Sequence, residues 1–515
     1  MIEKLKYDYK LSIPQVDEYL RQTAITTSPD LFAKSASGQA FTSDVDLQLC
    51  STYSTNGWDT VSVCLVSDLN TAIEKQKRYP LSMDYQVIEG KNTYQVKADF
   101  GPWSIIAGGD GANINLKIPF KNLNCNFGGE SYTSQQCEAI IQSHLAFFPA
   151  PKKIADPGTY QLEFEREQAN GASISVIEFN SDLPSLSVAP LVQTVFSEWL
   201  NSNETLKNIQ ILFATAQLNM PDNKDFEWLI PTYSSYAYTD INGDLTKSKF
   251  GVLCMVKDRI APDIHQMPAI DFSSESKNNF AFMINREVFV EYQLMPSLPQ
   301  AFENASSENF KFDGTRITAD NLQLPSVRYG LLDYYPELNQ MTMTITETQI
   351  ICELDFTTNI SPGIDAKTFV KTTHTVTLGY NDNNEPIMVY EQDGDVITRN
   401  QTEVAAGVIV TEVIAEIIVA VVGIGVGNVV KKIIHRVLVA LVVAVMCAII
   451  SSIIHLIIEK VVSEGVQKAL PSIQPMATAA VKYVKWPFLA SEDNQNFKPS
   501  DICLNGTLCF IGVIE

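Results

Sequence analysis

The chain has 515 residues, 45% of them hydrophobic, which is enough to bury a large core without disulfide or metal staples. Lys and Arg total 37 against 59 Asp and Glu, and the formal charge of −22 at pH 7 excludes nucleic acid as a partner because its phosphates would be repelled. The nine cysteines form no CxxC pair, which excludes the common structural zinc spacings.

The compartment is predicted from the amino-terminal residues. Met1 to Tyr9 lack the apolar stretch that a secretory signal needs. We therefore expect a protein that is cytoplasmic when made and whose release, where it occurs, uses a route without a signal peptide.

Residues 41–400 predict mostly antiparallel sheet. Short runs rich in Val, Ile, Thr, Tyr and Phe alternate there with turn residues. Hairpin turns are predicted at Asn242-Gly243, Asp313-Gly314, Asn381–Asn384 and Asp393-Gly394. Because these returns are local, parallel crossovers are not expected.

Four helices interrupt the predicted strands, and each has one apolar stripe that suits packing against a sheet. They are predicted at Val66–Lys77, Gln135–Phe147, Ala189–Leu200 and Arg286–Phe302, the last with a break at Pro296.

Residues 403–470 predict an apolar helical insertion. Turn signals stop there, and apolar residues run almost without interruption through Val408–Val430 and Val437–Ile458. Acids and bases balance within the segment, so the whole net charge lies outside it. The strand pattern returns in Ala479–Trp486 and Ile502–Ile514, so residues 479–515 are predicted to close the sheet.

The insertion has two interpretations. Val437–Ile458 has 22 residues, or about 33 Å of helix, enough to cross a bilayer core of about 30 Å. A membrane hairpin is opposed by Glu412 and Glu416, which share one helical face and are costly in lipid. Helices apolar on all sides are also typical of a large protein core, and we favour that interpretation.

If the helices border a lipid groove, its lining is predicted from spacing and apolarity alone. The candidate lining residues are Ile418, Val422, Leu438, Leu441, Val445 and Ile449.

Catalytic motifs are missing from the sequence. There is no GxSxG elbow, HExxH helix or GxxxxGK[ST] loop, and only five histidines are present. We predict no enzyme, no cofactor and no metal site. Cys503 and Cys509 flank the Asn505-Gly506 turn but point to opposite faces of the predicted hairpin, so no disulfide is expected between them.

Three motifs resemble the clostridial neurotoxin-accessory proteins of the forty-seven-kilodalton and OrfX type. The first is Thr-Asn-Gly-Trp-Asp-Thr-Val at 55–61, followed by Leu-Asn-Thr-Ala-Ile at 69–73. The second is Phe-Met-Ile-Asn-Arg-Glu-Val-Phe at 282–289, leading to Met-Pro-Ser-Leu at 295–298. The third is Trp-Pro at 486–487, followed by Phe497 and Leu-Asn-Gly-Thr-Leu at 504–508.

The residues singled out from these motifs are Trp58, Asp59, Asn70, Trp486, Pro487, Asn505 and Gly506. By residue type, the tryptophans are expected to be core anchors, and Asp59 and Asn505 to be turn or capping residues.

The resemblance implies the tubular lipid-binding (TULIP) fold and, with it, lipid binding, phosphoinositides being one candidate class. It also implies association with a toxin locus or insecticidal activity. The predicted fold is therefore α+β and elongated, with strongly curved antiparallel sheets around long apolar helices, in two TULIP-like halves at 1–225 and 226–515. The predicted function is non-enzymatic lipid binding, at a membrane surface or in an apolar groove. The alternatives are a membrane-inserting toxin component that uses residues 403–470, or a structural scaffold of a toxin complex.

Overall fold

The structure is a computed structural model. It describes residues 53–89, 92–151, 158–166, 173–184, 187–219, 226–272, 277–324, 326–329, 332–361, 363–394, 397–404, 472–488 and 496–514. They fall into two compact units. The first unit comprises described residues of Tyr53–Asn285, Met476–Asp501 and Cys509–Glu515; the second comprises those of Arg286–Pro475 and Ile502–Leu508. The predicted halves divided between residues 225 and 226, whereas these units divide between Asn285 and Arg286.

Strands make up most of the described chain. In chain order they are β1 (Thr60–Leu65), β2 (Ser82–Glu89), β3 (Asn92–Phe100), β4 (Ser104–Gly111), β5 (Asn113–Phe127), β6 (Glu130–Ser134), β7 (Cys137–Ser143), β8 (Leu145–Pro149), β9 (Thr159–Phe164), β10 (Ile174–Ser181), β11 (Ala214–Gln217), β12 (Pro231–Thr239), β13 (Lys249–Val256), β14 (Phe280–Asn285), β15 (Phe310–Phe312), β16 (Arg316–Gln323), β17 (Val327–Tyr329), β18 (Leu332–Tyr334), β19 (Pro336–Ile345), β20 (Ile350–Ser361), β21 (Ile364–Tyr380), β22 (Pro386–Gln392), β23 (Ile397–Val404), β24 (Val484–Lys485), β25 (Phe497–Leu504) and β26 (Thr507–Ile514).

The helices are short. The α-helices are α1 (Val66–Gln76), α2 (Ala189–Leu200), α3 (Asn203–Asn208), α4 (Arg286–Phe289), α5 (Met295–Ser297) and α6 (Gln474–Tyr483). Single turns of 3₁₀ helix cover Glu227–Leu229, Leu298–Ala301 and Ser307–Asn309, and a π-helical turn covers Val290–Leu294. In the described part of the chain, no helix combines the length and the apolar character needed to cross a membrane.

A large sheet organises the first unit. Its order is β10-β7-β5-β4-β12-β13-β1-β14-β26-β25, with β2, β3 and β6 branching from β5. Its central strand, β1, pairs antiparallel on both sides, so that Thr60 lies opposite Cys254 and Ile284. A smaller sheet has the order β24-β11-β9-β8. The antiparallel pairing predicted for this part of the chain is confirmed.

The helix predicted at Ala189–Leu200 is confirmed as α2. Its buried residues include Val192, Phe196 and Trp199, which recur at helical spacing and form one stripe. Phe196 lies 4.9 Å from Phe120, and Trp199 lies 5.4 Å from Phe100, measured between ring centroids. Aromatic packing therefore fixes α2 against the sheet.

The helix α1 is also confirmed, but two predictions of secondary structure were wrong. Gln135–Phe147 forms β7 and β8 instead of a helix, because alternate residues from Cys137 to Ser143 are buried between β5 and β10. Ala479–Trp486, predicted as a strand, lies mostly in helix α6, followed by the two-residue β24. Alanine is the strongest helix former, and three alanines fall within α6.

The predicted helical segment at Arg286–Phe302 is confirmed with a change of geometry at its proline. It runs from α4 through the π-helical turn Val290–Leu294 and α5 to the 3₁₀ turn Leu298–Ala301. Pro296 has no N–H to donate, and the helix ahead of it widens so that the Met295 N–H donates to the Val290 carbonyl.

The second unit contains an antiparallel sheet of seven strands. Its order is β15-β16-β19-β20-β21-β22, and β23 pairs with the other part of the long β21. On β20 and β21, alternate residues face a buried side, as Phe356 and Val370 do. The predicted hairpin turns at Gly314 and Asn384 have positive φ, as hairpin chemistry requires. The hairpin predicted at Asp393-Gly394 was wrong, because in the described part of the chain β22 and β23 follow one another along β21 and do not pair with each other.

The predicted insertion is only partly tested. Glu403 and Val404 belong to β23, so the helix predicted from residue 403 was wrong at these two positions. The remaining predicted helices, Val408–Val430 and Val437–Ile458, lie outside the described residues, as do Glu412 and Glu416.

Candidate functional site

The motif at residues 55–59 begins with a tight turn. The Trp58 N–H donates to the Thr55 carbonyl at 3.0 Å, while Asn56 and Gly57 have φ angles of 54° and 88°. Two consecutive positive φ angles define a type I′ turn, for which Asn-Gly is the preferred pair. The turn delivers Trp58 and Asp59 to the interior of the first unit, where they are 1% and 0% exposed.

Asn56, Gly57 and Trp58 each contact one distant loop, residues 257–266. The Asn56 Nδ2 donates to the Gln266 carbonyl at 3.2 Å, and the Trp58 Nε1 donates to the Ile264 carbonyl at 2.9 Å. Gly57 faces Pro262 so closely that a Cβ atom at residue 57 would lie 3.4 Å from the proline ring. Two of these contacts are made to the loop backbone, and the third is made to the Pro262 ring.

Asp59 holds the first turn of the same loop. Its Oδ2 accepts from the Val256 N–H at 2.9 Å, and its Oδ1 lies 3.0 Å from the Arg259 Nε. Between these partners, Lys257 and Asp258 have φ angles of 51° and 57°, and the Arg259 N–H donates to the Val256 carbonyl at 3.1 Å. The buried carboxylate thus stabilises a second turn of two residues with positive φ, which are unfavourable for non-glycine residues.

The neighbouring strand β12 supplies further anchors. The Thr232 hydroxyl accepts from the Asp258 N–H at 3.1 Å, and the Ser235 hydroxyl lies 3.1 Å from the His265 Nδ1. The His265 ring packs beside Trp58 and Tyr236, with centroid distances of 6.5 and 6.4 Å. The 257–266 loop is therefore tied down at both ends and in the middle.

Apolar side chains nevertheless point to solvent from this anchored loop. Ile260 is 94% exposed, more than any other large hydrophobic side chain in the described residues, and Ile264 is 47% exposed. Tyr233 on β12 is 48% exposed, and its ring stacks on Trp58 at 6.1 Å with an interplanar angle of 10°. We call Tyr233, Ile260 and Ile264 the Ile260 patch.

The charges beside the patch are neutralised within the chain. The Lys257 Nζ lies 3.5 Å from the Glu227 Oε1, and Arg259 pairs with Asp59. Asp258 and Asp263 balance these two cations within the loop. Over the described ranges, no group of three or more His, Cys, Asp or Glu side chains could hold a metal ion.

The other predicted motif residues of the first unit have packing roles. Asn70 on α1 joins β4 twice, because its Nδ2 donates to the Ile105 carbonyl at 2.9 Å and its Oδ1 accepts from the Ile105 N–H at 2.7 Å. Trp486 is 1% exposed and lies 6.3 Å from Phe250. Pro487 lies two residues after the end of β24. A series of ring contacts through His265, Tyr236 and Phe250 links Trp58 to Trp486.

Asn505 and Gly506 form a turn that belongs to the second unit. The Asn505 N–H donates to the Thr507 carbonyl at 2.9 Å, and Gly506, at a φ of 73°, donates its N–H to the Glu347 carbonyl at 2.6 Å. The predicted turn role of Asn505 agrees with this geometry. Within the described residues, neither Cys503 nor Cys509 takes part in a disulfide.

The predicted groove residues, Ile418 to Ile449, lie outside the described residues. The sequence instead missed the 257–266 loop. An isoleucine between turn residues gives no signal of its exposure, and the bond from Asp59 to Arg259 spans 200 residues of chain.

The described fold matches that of a solved protein. The structure of P47 from Clostridium botulinum A2 has a TM-score of 0.65 with this chain at 16% identity, covering 90% of this chain and 98% of that one. At this identity the match shows a shared fold.

The family follows from the sequence. The model for the OrfX-like family, Protein OrfX2/OrfX3/P47, matches residues 55–512, so the chain belongs to this family of toxin-accessory proteins and the resemblance is confirmed. Protein OrfX3 of Paraclostridium bifermentans is 28% identical over 386 residues, which are 66% of this chain and 76% of that protein. Protein OrfX3 of Clostridium botulinum (strain Kyoto / Type A2) is 26% identical over 392 residues, which are 68% and 78% of the two chains.

Proposed function

We propose that this chain is a non-enzymatic accessory protein of a toxin locus and that it binds lipid at a membrane surface through the Ile260 patch. Membership of the OrfX-like family supports the accessory role. We also propose that it is cytoplasmic when made and that its fold belongs to the tubular lipid-binding superfamily. Phosphoinositides are one candidate lipid class by resemblance, and toxin-complex proteins are candidate partners.

The exposure of Ile260 carries the lipid proposal. Single exposed hydrophobic residues are ordinary on protein surfaces and need no explanation. Here, however, Ile260, which is 94% exposed, and Ile264 lie on a loop that a buried tryptophan and a buried aspartate hold in place, and Tyr233 on β12 stacks on that tryptophan. Removing one methylene group from water is worth about 0.8 kcal/mol, so transfer of these exposed side chains from water to lipid would be favourable.

Flotation of the full chain with vesicles tests the proposal. The vesicles would contain phosphatidylcholine alone, phosphatidylcholine with phosphatidylserine, or phosphatidylcholine with a phosphoinositide. We expect a fraction of the protein to float with at least one composition and none to float without vesicles. Protein that stays at the bottom of the gradient with every composition would contradict lipid binding and favour the scaffold function.

Native mass spectrometry of the purified chain adds a second readout. A mass increment that matches a phospholipid would support an internal groove in addition to the surface patch. Flotation without such an increment would restrict lipid binding to the surface.

A further inference from the structure

The 257–266 loop presents apolar surface without presenting available positive charge. Both of its cations lie within salt-bridge distance of carboxylates of the same chain, Lys257 at 3.5 Å from Glu227 and Arg259 at 3.0 Å from Asp59. Loops that bind anionic lipid offer unpaired lysines and arginines, each worth about 1 kcal/mol near the membrane surface. In the 257–266 loop, by contrast, each cation lies beside a carboxylate of the same chain.

The net charge of the whole chain also disfavours binding to an anionic membrane. At −22, the protein is repelled by the negative potential of an anionic bilayer, and the loop has no excess of cations to overcome this repulsion. An electrically neutral surface imposes no such penalty.

We infer that Ile260 inserts into the acyl-chain region of a neutral lipid surface of zwitterionic phospholipid, and that apolar burial drives binding instead of headgroup charge. The inference rests on the proposed lipid-binding function and names its lipid class. Tyr233, which is half-exposed beside Trp58, is suited to the headgroup level, where tyrosine rings concentrate. The anchors from Trp58 and Asp59 order the loop in advance, so insertion loses little conformational entropy.

The first test compares two exposed isoleucines of the first unit. Ile260→Ser removes the apolar side chain of the loop, and Ile88→Ser is the matched control on β2, where Ile88 is 65% exposed. We expect Ile260→Ser to lower the partition coefficient into phosphatidylcholine vesicles by about 10- to 100-fold, the range for burying one aliphatic side chain. Ile88→Ser should leave it unchanged. Equal partition of Ile260→Ser and the parent chain, or an equal loss in both variants, would overturn the inference.

A second test locates residue 260 directly. All five tryptophans of the chain are buried, the most exposed being Trp199 at 8%. Ile260→Trp therefore adds a single solvent-exposed tryptophan, which can be excited selectively over tyrosine, and Ile88→Trp is its control. On vesicle binding, we expect a blue shift and quenching by brominated phosphatidylcholine for Ile260→Trp only. An unchanged emission of Ile260→Trp in vesicle-bound protein would overturn the insertion.

The third test addresses the lipid class. Partition of the parent chain into phosphatidylcholine should change little between about 50 and 500 mM salt, because screening affects only charge interactions. Adding phosphatidylserine should weaken it. Binding that requires an anionic lipid and falls steeply with salt would overturn this inference but leave the proposed function standing, whereas binding to no vesicle would overturn both. A dimer in sedimentation that Ile260→Ser dissociates would assign the patch to a second copy of the chain and would also overturn the inference.

Discussion

Two sites of buried polar groups, one in the first unit and one in the second, differ in how their polar groups are bonded. In the first, the Asp59 carboxylate is 0% exposed and contacts both the Val256 N–H and the Arg259 guanidinium. In the second, Thr358 on β20 and Thr372 on β21 are 2% and 1% exposed, and their hydroxyl groups have no hydrogen-bond partner within the described structure.

The polar groups at the first site hold a surface loop in place, whereas the unpartnered hydroxyls at the second site only lower the stability of the fold. A buried hydroxyl without a partner costs about 1–3 kcal/mol, because its hydrogen bond to water is not replaced. The polar groups around Asp59 fix the 257–266 loop, and three comparisons of variants test how buried polar groups in each unit affect its stability.

The largest effect is expected from breaking the ion pair of the first unit. Arg259→Met leaves the Asp59 carboxylate buried without its cation, and we expect the free energy of unfolding to fall by about 3–5 kcal/mol. The measurement is urea denaturation followed by tryptophan fluorescence, because all five tryptophans belong to the first unit.

Lys257→Met is the control for this experiment. It removes the neighbouring cation of the same loop, whose partner Glu227 has a side chain that is 67% exposed. A surface ion pair of this kind is worth about 0–1 kcal/mol. Similar losses in both variants would show that Asp59 is no more dependent on its cation than a surface carboxylate is.

A pH effect of intermediate size is expected in the second unit. His374 on β21 is 4% exposed, and burial lowers its pKa to about 4. In the unfolded chain its pKa is about 6.5, so the unfolded state binds a proton that the folded state does not. Stability should therefore fall as the pH falls from about 6.5 to about 4, by about 3 kcal/mol from this group alone.

Hydrogen exchange of peptides from β20 and β21, corrected for the intrinsic effect of pH, measures this loss. His374→Phe has no group to protonate, so its protection should decline less over the same range. If both proteins lose protection equally, other groups cause the pH dependence and the burial of His374 has no part in it.

Local sequence signals predicted the parts of the fold that depend on neighbouring residues. Asn242-Gly243 and Asp313-Gly314 predicted hairpin turns that are present, and the apolar stripe of Ala189–Leu200 predicted helix α2. Gln135–Phe147 was misassigned because its buried residues fit a helical stripe as well as an alternating strand. The segment is a strand because part of it pairs with β5 and β10, and a short stretch of sequence does not reveal such pairing.

Only part of the candidate site was predicted from the sequence. Trp58 and Asp59 were identified from the motif, but their partners at 256–266 lie about 200 residues away in sequence and carry no signal of contact. Exposure of Ile260 is likewise a property of the folded loop, since an isoleucine in a sequence indicates burial more often than exposure.

The smallest effect, and the one that differs in sign between the units, comes from replacing buried threonines with valine. Thr372→Val removes a hydroxyl that has no partner, so we expect the second unit to gain about 1 kcal/mol, seen as stronger exchange protection of β21. Thr205 in the first unit is 4% exposed, but its hydroxyl lies 3.0 Å from the Ser202 Oγ beside the start of α3. Thr205→Val should therefore destabilise the first unit by about 1 kcal/mol in urea denaturation. Destabilisation by both substitutions would mean that the Thr372 hydroxyl is bonded in solution, because only a hydroxyl with a partner stabilises the fold.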